Sequence, residues 1–399
     1  AKSYTSAAVT GFITTSVLAG VVTGNLSSAF SIINTIQIIA FIPMCDLDLP
    51  LTLRSFLTST LDFNLIPNVF EYFTPASGPE PPERATRVGI NSTQFLINGG
   101  ELLTTLIAGL CYWPLAFMLQ RYIKFRDVQR YFASVARDFK WNYFVKYCFE
   151  AQLEMSIASL MQLAALRAST PSELLNSALG CITALLCLSI PFITLAFILF
   201  NKDNLSRDEK SELNQKFGSF YNEFKGDKGL ISNFYYAWFT LRRFAYIVIL
   251  FYLSDYPHIQ VGLNILHSVL TCTFCIYYVP YAVGPINLSS ISAEVGICMI
   301  FIETGLFLIP MSSQNREFLK WATIATAIVV IMIGLAVSFY LQCLGLSAFY
   351  TALKNRFRKT NRIAPGHSEP TTPSIVHSWT LNTTDESSPY PHKGFKVLD

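Results

Sequence analysis

The sequence predicts an all-α membrane protein, a polytopic helical bundle of about nine transmembrane helices with its N-terminus outside and its C-terminus inside. Three observations lead there. The 399 residues are 52% hydrophobic and only 14% charged, a balance far from that of a soluble domain. The apolar residues gather into runs of about 20, the length a helix needs to cross roughly 30 Å of hydrocarbon. Lys and Arg concentrate in alternate loops between these runs, the pattern that orients a membrane protein.

In chain order the candidate spans run approximately over residues 5–24, 27–44, 97–119, 149–168, 174–200, 231–253, 257–281, 287–310 and 317–347. The second, SAFSIINTIQIIAFIPM, is interrupted by Asn34 and Gln37 and follows a short turn around Gly24 and Asn25. It reads as a span, as one arm of a tight helical hairpin, or as a segment in the interface. Residues 45–96 form the next unit. There Leu51, Leu53, Phe56, Leu57 and Leu61 recur at helical spacing before Ile66-Pro67-Asn68, which predicts an amphipathic helix or small cap on the outer interface.

Loop charge sets the orientation. Residues 120–148 hold seven Lys or Arg, residues 201–230 hold six, and KNRFRKTNR after the last span holds five. Two spans separate the first pair of loops and four the second pair, so all three fall on one side, the cytoplasmic one. Residues 45–96 carry only Arg54, Arg84 and Arg87 against six acids, and include the glycosylation sequon Asn91-Ser92-Thr93. The unit 97–200 therefore comprises three spans around the basic loop 120–148. Residues 201–230 are a solvated linker of mixed charge, 231–347 a four-helix candidate pore or transport core, and 348–399 a cytoplasmic disordered tail rich in Pro, Ser and Thr. A partner protein in the cytoplasm is one expectation for that tail. The opening AKSYTS has neither Met nor a signal peptide pattern, so the chain is expected to follow an upstream extracellular domain.

Several functions fall away. A net charge of +3 without a basic block interleaved with aromatics excludes a nucleic acid partner. No Cys/His cluster has zinc-ligand spacing, and eight of the nine cysteines, the Cys272–Cys275 pair among them, lie in or beside apolar spans as small hydrophobes. P-loop, GxGxxG, HExxH and GxSxG motifs are lacking, and three of the five histidines lie in the tail, so neither enzyme nor cofactor is expected.

Chemistry is instead expected from polar groups at membrane depth, which are costly there and demand a partner or water. In the seventh span Gln260, Asn264, His267 and Thr271 follow steps of four, three and four along one helical face. That stripe either bonds the helix to its neighbour or lines a water-filled path. Arg242 and Arg243 lie deep in the sixth span, Glu294 in the eighth, and Glu150 and Glu154 one turn apart in the fourth. These five are candidates for interhelical ion pairs, such as Arg243 with Glu294 or Glu154. Glu303 matches no Arg in depth and is the carboxylate expected to meet cations near the outer mouth of the stripe. Pro280 and Pro285 bracket a turn placed to act as a hinge.

The succession of SIINTIQIIAFIPM, the IPN segment, the basic loop, the LRRFAYIVIL span, a polar span closing on VPY, an Asn-containing turn and a Glu-bearing span resembles the TRP-like membrane region of fungal flavin-carrier and polycystin-related proteins. It resembles especially the C-terminal regions of large protist surface proteins, over residues 27–347. The resemblance implies a cation channel or transporter, calcium among its ions; a homo-oligomer is one expected partner, and the sequon with the acidic outer loop suits the plasma membrane or an internal membrane reached by the secretory route. It also leaves room for a multispan anchor or receptor, or a lipid or flavin transporter.

Overall fold

A backbone within hydrocarbon must satisfy its own N–H and C=O groups, and the apolar runs accordingly fold as helices. The computed structural model describes residues 27–59, 67–74, 79–122, 140–205, 211–221 and 230–360, with isolated positions at 129, 133, 136 and 224. The expected first span at 5–24, much of the stretch 123–139 in the basic loop 120–148 and the tail beyond Thr360 lie outside the described residues. In chain order the helices are α1 (Ser27–Phe41), α2 (Leu51–Thr58), α3 (Glu83–Thr86), α4 (Phe95–Asn98), α5 (Gly100–Tyr122), α6 (Asn142–Ala164), α7 (Pro171–Phe200), α8 (Glu212–Phe217), α9 (Leu230–Asn233), α10 (Tyr235–Tyr252), α11 (Pro257–Tyr278), α12 (Gly284–Gly305) and α13 (Ser313–Thr360).

Among the described residues five helices are long and apolar enough to cross a membrane: α5, α7, α11, α12 and the first 35 residues of α13. The chain is a multispan membrane protein with an all-α fold. Large apolar side chains such as Phe117, Leu185, Phe192 and Phe339 stand exposed on three of these helices, α5, α7 and α13. Lipid tails can cover such faces, and water would not. The other expected spans among the described residues are helical but differ in composition. α1 carries Asn34 and Gln37, α6 carries Lys146, Glu150 and Glu154, and α10 carries Arg242 and Arg243. Their polar groups are placed for protein neighbours, so hydropathy alone does not mark them.

Protein closely encloses α1 from Ile32 onward. From Ile32 to Cys45 every residue except Ile33 is buried. Ile32 and Ile36 pack on Ile331 and Leu335 of α13, and the Tyr246 hydroxyl of α10 donates to the Ile38 carbonyl at 3.0 Å. Small residues let other helices close in. A Cβ placed on Gly296 of α12 would lie 1.9 Å from Val330 of α13, so only glycine permits that approach.

At one end of the bundle a cap is built from residues 42–59 and 79–98. In α2, Leu53 and Leu57 are fully buried while Leu51 faces outward, as an amphipathic helix on a surface requires. They share a core with Leu160 and Met161 of α6, and with Phe251, Val261, Phe307 and Leu319 at the adjoining helix ends. Arg87 ties the cap together, donating to Asp46 at 2.9 Å and to Glu83 at 3.0 Å. Burial by itself would lower the pKa of this guanidinium, but the hydrogen bonds and charges of Glu83 and Asp46 outweigh it and raise the pKa. The Thr170–Glu173 capping box, with Pro171 at the first position, starts α7 at the same end.

The opposite end is aromatic. Phe149, Phe220 and Tyr221 pack there, and Phe224, Tyr235, Cys275, Tyr281 and Leu341 form a second cluster. Phe224, from the linker, pairs with Tyr281 in a single antiparallel bridge. Beyond that end, α13 runs on to Thr360 and takes in the basic KNRFRKT segment, where a disordered tail was expected from 348.

Candidate functional site

The polar groups converge inside the bundle where α1, α6, α10, α11 and α12 meet. Arg242 and Arg243 are adjacent on α10, about 100° apart around its axis, and so face different neighbours. The Arg242 guanidinium forms an ion pair with Glu294 of α12 and donates to Ser268 Oγ of α11 at 3.2 Å. Both members of the pair are buried. The expected pairing of Glu294 with Arg243 is thereby corrected: Glu294 faces the other arginine.

Arg243 is 1% exposed and turns toward α1 and α6. It donates to the Phe149 and Glu150 carbonyls and to the Gln37 side-chain oxygen. Gln37 in turn donates to Glu154 Oε1 at 2.7 Å. The amide thus stands between the guanidinium and the carboxylate, and Arg243 meets Glu150 through its backbone. The Phe239 ring lies 5.2 Å from the Arg243 guanidinium carbon, adding a cation–π contact. Removing charges from water costs several kcal/mol per ion, which only such multiple contacts can offset.

Gln260, Asn264 and Thr271 of the stripe are fully or nearly fully buried, as is Ser268 on the same face. Gln260 donates to the Ile249 and Leu250 carbonyls at 3.1 and 3.2 Å, satisfying the end of α10. Asn264 donates to the Gln260 carbonyl at 2.9 Å. Thr271 Oγ1 accepts from Trp238 Nε1 at 3.0 Å. His267 lies at the flank of this face, half-buried, edge-on to Trp238 with ring centres 6.5 Å apart. The structure thus places most of the stripe against α10.

Glu303 is elsewhere. Nine residues beyond Glu294, or about two and a half turns, put it on the opposite side of α12, where it accepts from Thr326 of α13 at 2.8 Å. Glu303 is half-buried, and the structure does not bring it to the stripe.

Beside the stripe is a small cavity with about 10 Å³ for the centre of a water molecule. Arg242, Arg243, Asn264, His267 and Ser268 supply its polar wall. Among the described residues no group of three or more His, Cys, Asp or Glu could hold a metal ion.

The turn after α11 is constrained. Val279 adopts a left-handed conformation, φ 44°, unusual and costly for a β-branched residue. Asn287 holds the following residues, accepting from the Tyr281 N–H at 2.9 Å and donating to its carbonyl at 2.7 Å.

Sequence reasoning did not single out Ser268, Trp238, Tyr246 or Asn287. For Ser268 a signal existed: it lies four residues from Asn264 on the same helical face. Compared with known proteins, the chain matches no family model, no curated protein and no solved structure.

Proposed function

We propose that the chain is the membrane domain of a TRP-like cation channel or transporter, with α10 to α13 as its working core and calcium among the ions it passes. The observation that carries this reading is the gathering of ionisable and amide side chains inside the bundle at the α10–α11–α12 contact, where the buried Arg242–Glu294 pair adjoins Asn264 and Ser268. Motion there is cheap in the relevant places. Interhelical hydrogen bonds such as Trp238–Thr271 are worth roughly 0.6 kcal/mol each in membrane proteins. The strained Val279, in a turn bounded by Pro280 and Pro285, is the hinge about which α11 parts from α10. Phe224 links the cytoplasmic linker to that hinge, and Glu303 draws cations to the α12–α13 seam.

A second reading, a multispan anchor or receptor region, is supported by the partners that Gln260, Asn264 and Thr271 find on α10 and within α11, as they would in a bundle held by hydrogen bonds. Flux measurements separate the two. Full-length protein in liposomes carrying a calcium dye or a potassium gradient is expected to pass cations, with altered selectivity in Glu303→Gln and altered pH response in His267→Ala. Silence under voltage, membrane tension and calcium returns the second reading.

The cap end then lies outside, at the plasma membrane or in an internal secretory-pathway membrane. Asn91 is exposed in that cap. Digestion with an N-glycosidase is expected to shift the mobility of wild type and not of Asn91→Gln. Protein expressed in a glycosylating cell that carries no glycan at Asn91 would sink the outward assignment of the cap.

A further inference from the structure

We infer that the cavity between α10 and α11 is a binding site for a single water molecule, held between the Arg243 guanidinium and the His267 imidazole. The site stands independently of whether the chain conducts ions. Two polar atoms among its lining residues, Arg243 Nε and His267 Nδ1, are buried without a protein hydrogen-bond partner. Arg243 can only donate, and His267 with its proton on Nε2 can only accept at Nδ1. A direct bond between them is not made, whereas one water accepts from the first and donates to the second. The Asn264 side-chain nitrogen is committed to the Gln260 carbonyl, which leaves its amide oxygen as acceptor for the second water hydrogen. Three bonds is the usual complement of a buried water.

Size and charge select this occupant. A cavity with about 10 Å³ for the centre of a water molecule accommodates one water and is tight for a halide. Two guanidinium groups in the wall repel a cation. Ile38 and Phe301 close the apolar side, so the water is fixed by its polar partners rather than exchanging along a continuous chain. Its effect is to join α10 to α11 at the level where the stripe would otherwise offer only Arg242–Ser268.

Two measurements on the full chain in lipid nanodiscs test the site. A cryo-EM map fine enough to show ordered waters is expected to contain a peak about 3 Å from both Arg243 Nε and His267 Nδ1. Well-ordered density for both side chains with no such peak overturns the assignment. His267→Phe fills the space with an apolar ring, and the sign of its effect is diagnostic. Loss of a water that satisfies Arg243 lowers the thermal midpoint, whereas filling a dry cavity raises it. A raised midpoint overturns the proposal, and a lowered one with the peak gone, while His267→Asn keeps the peak, supports it.

Discussion

Arg243→Leu is expected to destabilise the protein by about 3–5 kcal/mol, the range found when one member of a buried charge network is removed. Leucine leaves the Phe149 carbonyl and the Gln37 side-chain oxygen without their donor, and leaves Glu154 with only Gln37 between it and an apolar interior. Arg243→Lys is expected to recover little of the loss. A single ammonium cannot reach the α6 carbonyls and Gln37 together as the planar guanidinium does. The thermal midpoint of detergent-solubilised protein, followed by size-exclusion chromatography, reads both variants. A shift in Arg243→Leu no larger than that of an exposed substitution would show that the network is not required.

The second large effect is expected at Arg242 and Glu294, where the outcome depends on order. Glu294→Leu alone should cost about 3–5 kcal/mol, because Arg242 remains buried and uncompensated. Arg242→Met together with Glu294→Leu should regain most of that, since two apolar side chains of similar volume avoid desolvation altogether. A double-mutant cycle on the same thermal midpoint gives the coupling. Additive losses would mean that the two side chains do not meet in the membrane-embedded protein. Full recovery of stability accompanied by lost cation flux would assign the pair to function rather than to holding the fold.

Much of this architecture was legible in the sequence. Long apolar runs marked α5, α7, α11, α12 and α13, and helical spacing of leucines marked α2 with its buried Leu53 and Leu57. Loop charge grouped the linker with the α11–α12 turn at one end, and the Phe224–Tyr281 bridge joins those two segments. Two relations were available from helix geometry yet went unread. Adjacent arginines on one helix must address different partners, and residues nine apart, such as Glu294 and Glu303, must face opposite ways. Other features could not be read locally. Val279 in a left-handed conformation runs against its own propensity, and only the surrounding packing explains why it is tolerated. Asn34 and Gln37 interrupt the second apolar run and leave open whether it spans, folds back or lies in the interface. They belong to a helix sheathed in protein, where Gln37 connects Arg243 to Glu154.

The enclosure of α1 also bears on biogenesis. The groups that receive it arrive far later during synthesis: Glu154, then Arg243 and Tyr246, then Ile331 and Leu335. The contacts of α1 therefore close sequence separations of 117 to 208 residues, and such non-local closures slow folding because chain entropy is lost before the contacts form.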